Sequence, residues 1–438
     1  GGIVMEAYIG IGVLVILMLL GVPVALSFAG MTLALGILYD VNFNSLMLTG
    51  FRSMNSVVLM ALPLFILTGY LMQSGGLAER LIQFIESLVG RIRGGLGMSM
   101  ILAAALFGAI SGTASAAVAS IGSIMITPMA ERGYSRAYTS ALLGISSLLG
   151  ILIPPSITMI LFAAVTRQSV AACFAATIGP AILLIIGLCI ANLIMFRNHG
   201  RLQVNNPGTP PAPPKPPIGR STRRAMPAMS LPIIILGGIY GGVFTPTEAA
   251  AVSAVAAFIV GFFIYRDMIP KAIFTSVIEA AETTGVILII LLFSLVVGRI
   301  FSMERVPQQI TEFMLNTFKD PIWILLVVNL FLIVAGMIVD DLSVTVIISP
   351  LLLPVMQANG VHPVHFAAIV GTSVVIGANS PPTAPILYMA CRIGECEIHE
   401  TIGTAVKLMS FVALPVALIT TYFPDVSLFI PRLLGLIQ

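Results

Sequence analysis

Long stretches of this chain carry no charged side chain, and that property decides what it can fold into. There is no Asp, Glu, Lys or Arg between Arg93 and Glu131, and none between Arg136 and Arg167. Residues 168–196, 225–247, 249–265, 321–339 and 408–424 are equally free of them. A bilayer core is crossed by about 20 apolar residues of helix, so many spans are available. With only 9% of the 438 residues charged, too little charge remains to coat a soluble protein of this length. The runs are continuous rather than alternating, which excludes an outer-membrane barrel. Backbone groups in lipid must be satisfied within their own segment, so the spans are helices. The expectation is an all-α polytopic membrane protein of the bacterial inner membrane.

One segment is clearly of another kind. Residues 197–224 contain the run PGTPPAPPKPP and six basic residues (Arg197, Arg201, Lys215, Arg220, Arg223 and Arg224) with no acidic one. Proline this dense favours an extended, solvated chain. By the positive-inside rule it reads as a cytoplasmic linker rather than a nucleic-acid surface. Gly1–Val4 lacks the basic region and cleavage site of a signal peptide, and Met5 reads as the natural start behind a fusion scar. Cys173, Cys189, Cys391 and Cys396 show no disulfide or metal framework, and His362 and His365 are separated by Pro363 in what reads as a connection.

The linker divides two halves that can be laid over one another. Gly108-Ala-Ile-Ser111-Gly112-Thr113-Ala-Ser115 and the later Gly150-Ile-Leu-Ile153-Pro154-Pro155-Ser156 have counterparts in Gly336-Met-Ile-Val-Asp340-Asp341-Leu-Ser343 and Gly377-Ala-Asn379-Ser380-Pro381-Pro382-Thr383. The offsets are 228 residues for the leading glycines, 227 for the proline pairs and 223 for the early breaks at Pro23 and Pro246. Pro128 and Gly133 likewise answer Pro354 and Gly360. Such repeats in transporters are often inverted, with the site where their broken helices meet.

Four polar elements interrupt the apolar sequence. Ser111, Thr113 and Ser115 lie midway in a run too long for one helix, with Gly112 among them. They fit either the tip of a re-entrant hairpin, whose carbonyls and hydroxyls could ligate a hard cation, or close helix packing. The prolines of IPPS and NSPPT either kink a span or break it into half-helices whose N-terminal ends favour an anion. Ser156, Asn379 and Thr383 add side-chain polar atoms there. Asp340 and Asp341 stand between charge-free runs, where a carboxylate costs about 2.5–3.5 kcal/mol on insertion scales. They could complete a cation site or cap the next helix. Phe244-Thr-Pro-Thr-Glu248-Ala-Ala reads as a capped helix start.

The pieces LPLFILTGYLMQSGGLAERL, FGAISGTASAAVASIG, LIPPSI, LPIIILGGIYGGVFTPTEAAAV and GMIVDD…PLLLPV, in this order, resemble the large membrane subunit of the tripartite ATP-independent periplasmic (TRAP) transporters over nearly the whole chain. The resemblance implies an elevator-type secondary transporter of the ion-transporter superfamily. It would import an organic acid, a carboxylate such as a C4-dicarboxylate or sialic acid, on a Na⁺ gradient. It also implies a small membrane subunit and a periplasmic substrate-binding protein as partners. Matched by position, it implies Na⁺ at two or more sites drawn from Ser111, Gly112, Thr113, Ser115, Gly150, Ile153, Pro155, Asp340, Asp341, Ser343, Thr345, Gly377, Ser380 and Pro382. Substrate would be held by Ser111, Ser156, Asn379 and Thr383. The organisation expected is scaffold helices over 5–50 and transport elements over 51–197, with a hairpin near 98–130 and a broken helix near 140–166. The linker then covers 198–227 and the second scaffold 228–275. The second set of transport elements follows over 276–438, with a hairpin near 322–357 and a broken helix near 365–392. The last break reads SPPTA, whereas family members commonly read like TPPVG.

A transporter of the same superfamily that needs no partner is the competing expectation. An intramembrane enzyme is disfavoured because His199, His362, His365 and His399 all fall in or beside expected loops, leaving no base for Ser111. No phosphate-binding loop is present, which excludes an ATP-driven pump.

Overall fold

Helix follows from the absence of any other way to satisfy an apolar backbone in lipid. The computed structural model describes residues 2–90, 94–199, 218–380 and 384–437, and among these there is no strand. Eight helices among the described residues are long and apolar enough to cross a membrane, and the bent pair Arg136–Leu152 and Ile157–Thr166, inclined by 41°, would make a ninth. Leu19, Ile186, Ile190, Phe274 and Phe411 are among the many large apolar side chains that face outward. That is the reverse of a soluble protein's surface and suits contact with acyl chains.

Helices Gly2–Leu19 and Val24–Leu38 pack on each other, separated by the turn at Gly21 and Pro23. After Phe43–Met54, the span Val57–Ser74 runs between two helices of the second half, Pro246–Ile259 and Pro270–Met303. Hydroxyls join it to them: Thr68 Oγ1 lies 3.0 Å from Ser253 Oγ, and the Tyr70 hydroxyl 2.9 Å from Thr283 Oγ1. The FTPTEAA segment forms a complete capping box. Thr245 Oγ1 accepts from the Glu248 amide, and the Glu248 carboxylate accepts from the Thr245 amide. Thr247 then donates to the Val57 carbonyl at 2.9 Å, tying this cap to the first half.

Both halves contain a helix–tip–helix hairpin followed by an interrupted helix. The first hairpin is Gly95–Ser111 and Ala114–Glu131, with the interrupted helix in Arg136–Ser146, Leu149–Leu152 and Ile157–Thr166. The second is Pro321–Ile338 and Asp341–Ala358, followed by Pro363–Ala378 and Pro385–Gly394. Their packing is exchanged between halves. Ile157–Thr166 lies against Asp341–Ala358, and Pro385–Gly394 against Ala114–Glu131. Gly133 (φ 88°) and Gly360 (φ 76°) end the two hairpins in the same left-handed conformation.

Two expectations need correction. The linker expected over 198–227 is narrower at both ends, because helix Val170–His199 enters it and helix Ile218–Tyr240 begins within it. The proline run ends at Pro217, so nothing stops a helix from Ile218 onward, and Arg220, Arg223 and Arg224 ride on that helix. The proline run itself, in 200–217, lies outside the described residues. The connection read at His362–His365 is corrected as well, because a helix opens there. Pro363 occupies the first helical turn, where its missing amide donor does no harm, so it starts Pro363–Ala378. His362 caps that helix, and His365 is buried within it, 2.7 Å from the Thr420 carbonyl. Among the described residues no three His, Cys, Asp or Glu side chains gather as a metal site would need.

Each hairpin is seated on its interrupted helix through paired glycines. A Cβ on Gly108 would come 2.6 Å from the Gly150 Cα, and one on Gly377 would come 2.7 Å from the Gly336 Cα. Gly108→Ala and Gly377→Ala are therefore expected to destabilise by about 1–3 kcal/mol through overpacking. Gly298→Ala, where a Cβ meets nothing within 4 Å, should be neutral. Thermal unfolding of the three variants in lipid nanodiscs checks this.

Candidate functional site at the hairpin tips and helix breaks

The first tip is two residues long. Helix Gly95–Ser111 ends at Gly112 in the left-handed region (φ 66°), and Thr113 caps Ala114–Glu131 by accepting from the Ala116 amide at 3.3 Å. A Cβ on Gly112 would lie 2.5 Å from the Pro155 carbonyl oxygen, so the tip can meet the break only with glycine there. The Ile157 amide donates to the Gly112 carbonyl at 3.3 Å, and Ser156, fully buried, caps Ile157–Thr166 by accepting from the Met159 amide. A Cβ on Gly150 would lie 2.6 Å from the Thr113 carbonyl. Ser111, Gly112, Thr113, Gly150, Pro155 and Ser156 are thus brought together, with several carbonyl oxygens among them. Ile153 is half-buried at the end of Leu149–Leu152, its amide donating to Leu149.

Ser115 does not join them. It sits in the first turn of Ala114–Glu131 with its side chain exposed, whereas Ser111 is buried and donates to the Thr113 carbonyl at 3.5 Å. The alternation that looked like three convergent hydroxyls is divided by the change of chain direction at Gly112.

The second tip has the same cap with a different charge. Asp340 stands at the position equivalent to Thr113 and accepts from the Ser343 amide at 3.1 Å; the Ser343 hydroxyl donates to its other oxygen. Asp341, one residue on, accepts from the Thr158 hydroxyl at 3.0 Å. That bond crosses the halves, joining the second tip to the helix that follows the first break. The Thr345 hydroxyl is already engaged, donating to the Asp341 carbonyl at 2.7 Å. Ser343 and Thr345 therefore support the tip through bonds already made.

At the second break, Gly377 packs on Gly336, and the Ser380 hydroxyl donates to the Ile376 carbonyl at 2.7 Å. Asn379 is fully buried, and neither its Oδ1 nor its Nδ2 has a hydrogen-bond partner among the described residues. Its Oδ1 lies 3.8 Å from where a Cβ on Gly144 would be, which places the amide against the helix leading into the first break. Pro382 and Thr383 lie outside the described residues.

Sequence reasoning missed Thr158, Gly144 and a buried network in the second half. Asn329 Oδ1 there accepts from Ser373 Oγ at 2.6 Å and from Thr421 Oγ1 at 3.1 Å. A lone Asn within an apolar span was the available signal for the network. Thr158 carried none, because nothing in its own span shows that Asp341 comes to it.

The comparisons with known proteins agree with this architecture. Residues 11–426 match the model of the tripartite ATP-independent periplasmic transporter, DctM component. The chain is 35% identical to the C4-dicarboxylate TRAP transporter large permease protein DctM of Vibrio cholerae, over 95% of this chain and 96% of that protein. It is 32% identical to the sialic acid TRAP transporter large permease protein SiaM of the same organism, again over 95% and 96%. Among solved structures, the YdaH transporter of Alcanivorax borkumensis shares the fold, with a TM-score of 0.60 at 15% identity over 86% of this chain and 87% of that one. The chain belongs to the DctM component family of TRAP transporters, the multi-pass large permeases of the inner membrane, which are transporters and not enzymes.

Proposed function

We propose that this permease imports an organic acid on a Na⁺ gradient, by an elevator movement of two inverted repeats. It would receive its substrate from a periplasmic binding protein and work beside a small membrane subunit. The observation that carries the reading is that each hairpin tip is seated on a helix break, with glycine standing where any side chain would separate them. Uncharged oxygens gather at the first seat and two carboxylates at the second. Na⁺ is a hard cation that takes oxygen ligands, and half-helix N-termini beside it favour an anion. The exchanged packing of the two halves and their nearly equal offsets support an internal repeat. The named substrates of the two relatives, C4-dicarboxylates and sialic acid, are both carboxylates, which favours a carboxylate here.

In this reading the carbonyls and hydroxyls around Ser111–Thr113 and Gly150–Ser156 would hold one cation. Asp340, with the groups around Asp341, Gly377 and Ser380, would contribute to another. The experiment is uptake of labelled L-malate and N-acetylneuraminate into proteoliposomes holding the chain, its small subunit and added binding protein. Thr113→Ala and Asp340→Ala are each expected to raise the Na⁺ concentration for half-maximal uptake by about tenfold, the worth of one good contact. Unchanged Na⁺ dependence in both variants would show that the tips serve packing alone. Omitting the binding protein is expected to abolish uptake. Full transport without it would instead mark a permease that needs no delivery partner.

A further inference from the structure

The two breaks use the same backbone solution with different side chains. Counted from the proline pairs at 154 and 381, Asn379 occupies the position that Leu152 fills in the first half. Both are almost completely buried, at 0% and 1% exposure. Leu152 shows that an apolar side chain serves this place in the fold. An amide in its stead, with both polar atoms unpartnered among the described residues, is not explained by packing. Buried amides remain unpaired at a high penalty, and a membrane interior offers little water to relieve it.

The amide also has a direction. It lies at the seam between the second break and the helix Arg136–Ser146 of the first half, where Gly144 presents no side chain to it. A bare cation would satisfy Oδ1 and leave the two Nδ2 protons unmatched. An anion alone would satisfy Nδ2 and leave Oδ1 unmatched. A solute that satisfies both must offer an acceptor and a donor side by side.

We infer that Asn379 reads the substrate of this permease, donating from Nδ2 to its carboxylate and accepting at Oδ1 from a hydroxyl on the adjacent carbon. The preferred substrate class is therefore a 2-hydroxy acid rather than an unsubstituted one. This rests on the organic-acid reading above and adds to it which acids are favoured. A site built around a substrate hydroxyl discriminates against the analogue lacking it, because its own polar groups are then left unpaired.

The test is equilibrium binding to the full chain in lipid nanodiscs in NaCl, using acids matched except for the hydroxyl. The pairs are lactate and propionate, L-malate and succinate, and N-acetylneuraminate and its 2-deoxy analogue. The wild type is expected to bind the hydroxylated member of a pair about tenfold or more tightly. Asn379→Leu should lose that gap while keeping the thermal shift produced by Na⁺; Asn379→Ala supplies the same comparison should the leucine variant not fold. Equal binding within every pair by the wild type would overturn the inference and leave the transport reading intact. The inference is also lost if the gap survives in the variants, or if their Na⁺ response disappears with it, since the amide would then belong to packing or to a cation. A resident water only would show as no gap in the wild type together with a higher melting temperature for Asn379→Leu. Binding of none of these acids would overturn both readings.

Discussion

A peptide group that leaves a helix inside hydrocarbon has to find its partner in the protein, because no water is there to supply one. Where the chain leaves helix at the first tip and the first break, the structure satisfies the freed groups by seating one on the other. The Gly112 carbonyl takes the Ile157 amide, Ser156 caps the half-helix beyond the break, and Thr113 caps the arm beyond the tip. None of this is possible unless backbones approach closely. Glycine therefore stands on both sides of the contact in each half, Gly108 on Gly150 and Gly336 on Gly377. The requirement to satisfy the backbone fixes where the small residues are, and the small residues place the polar atoms that a transported solute could meet.

The outline was legible in the sequence because hydrocarbon permits so few structures. Charge-free runs specified helices, and the shared offset of glycines and prolines located the two hairpins and two breaks as corresponding elements. The Thr245 cap with Glu248 could be read directly, since a capping box is local. What could not be read is how side chains are shared across elements distant in sequence. Ser111 and Ser115 look equivalent in SGTAS, yet one is buried and the other exposed because the chain reverses between them. The Thr158–Asp341 bond spans the two halves, and no periodicity in either segment announces it. The HPVH segment reads as a connection, although a proline one residue after His362 equally suits the first turn of a helix.

Differences between corresponding elements of the two halves are as informative as their likeness. Ser373 donates to Asn329 in the second half, while its counterpart by the same offset, Ser146, has no partner for its hydroxyl. The difference follows from Leu102, which stands where the second half has Asn329. At the break the asymmetry is again polar, with Asn379 and Ser380 where the first half has Leu152 and Ile153. At the tip it is one of charge, with Asp340 and Asp341 in place of Thr113 and Ala114. Corresponding elements of the two halves thus carry different polar chemistry, with the carboxylates in the second.

That unequal distribution bears on how cation coupling would work in the proposed mechanism. Thr113 and Asp340 do the same structural task, each accepting from the amide three residues on, so a carboxylate is not needed to cap this tip. The donors around the aspartates, from Ser343 and Thr158, are neutral; they satisfy oxygens but remove no charge. Two adjacent carboxylates repel more strongly as water is excluded from around them. A cation at the second tip would relieve that repulsion, whereas at the first tip it would gain only carbonyl and hydroxyl ligands. The second tip is then the one whose closure would depend most on a bound ion, and it is also the tip joined to the other half through Thr158. Charge placed at one tip of a near-symmetric pair would make ion binding there a condition for holding the two halves together around the substrate.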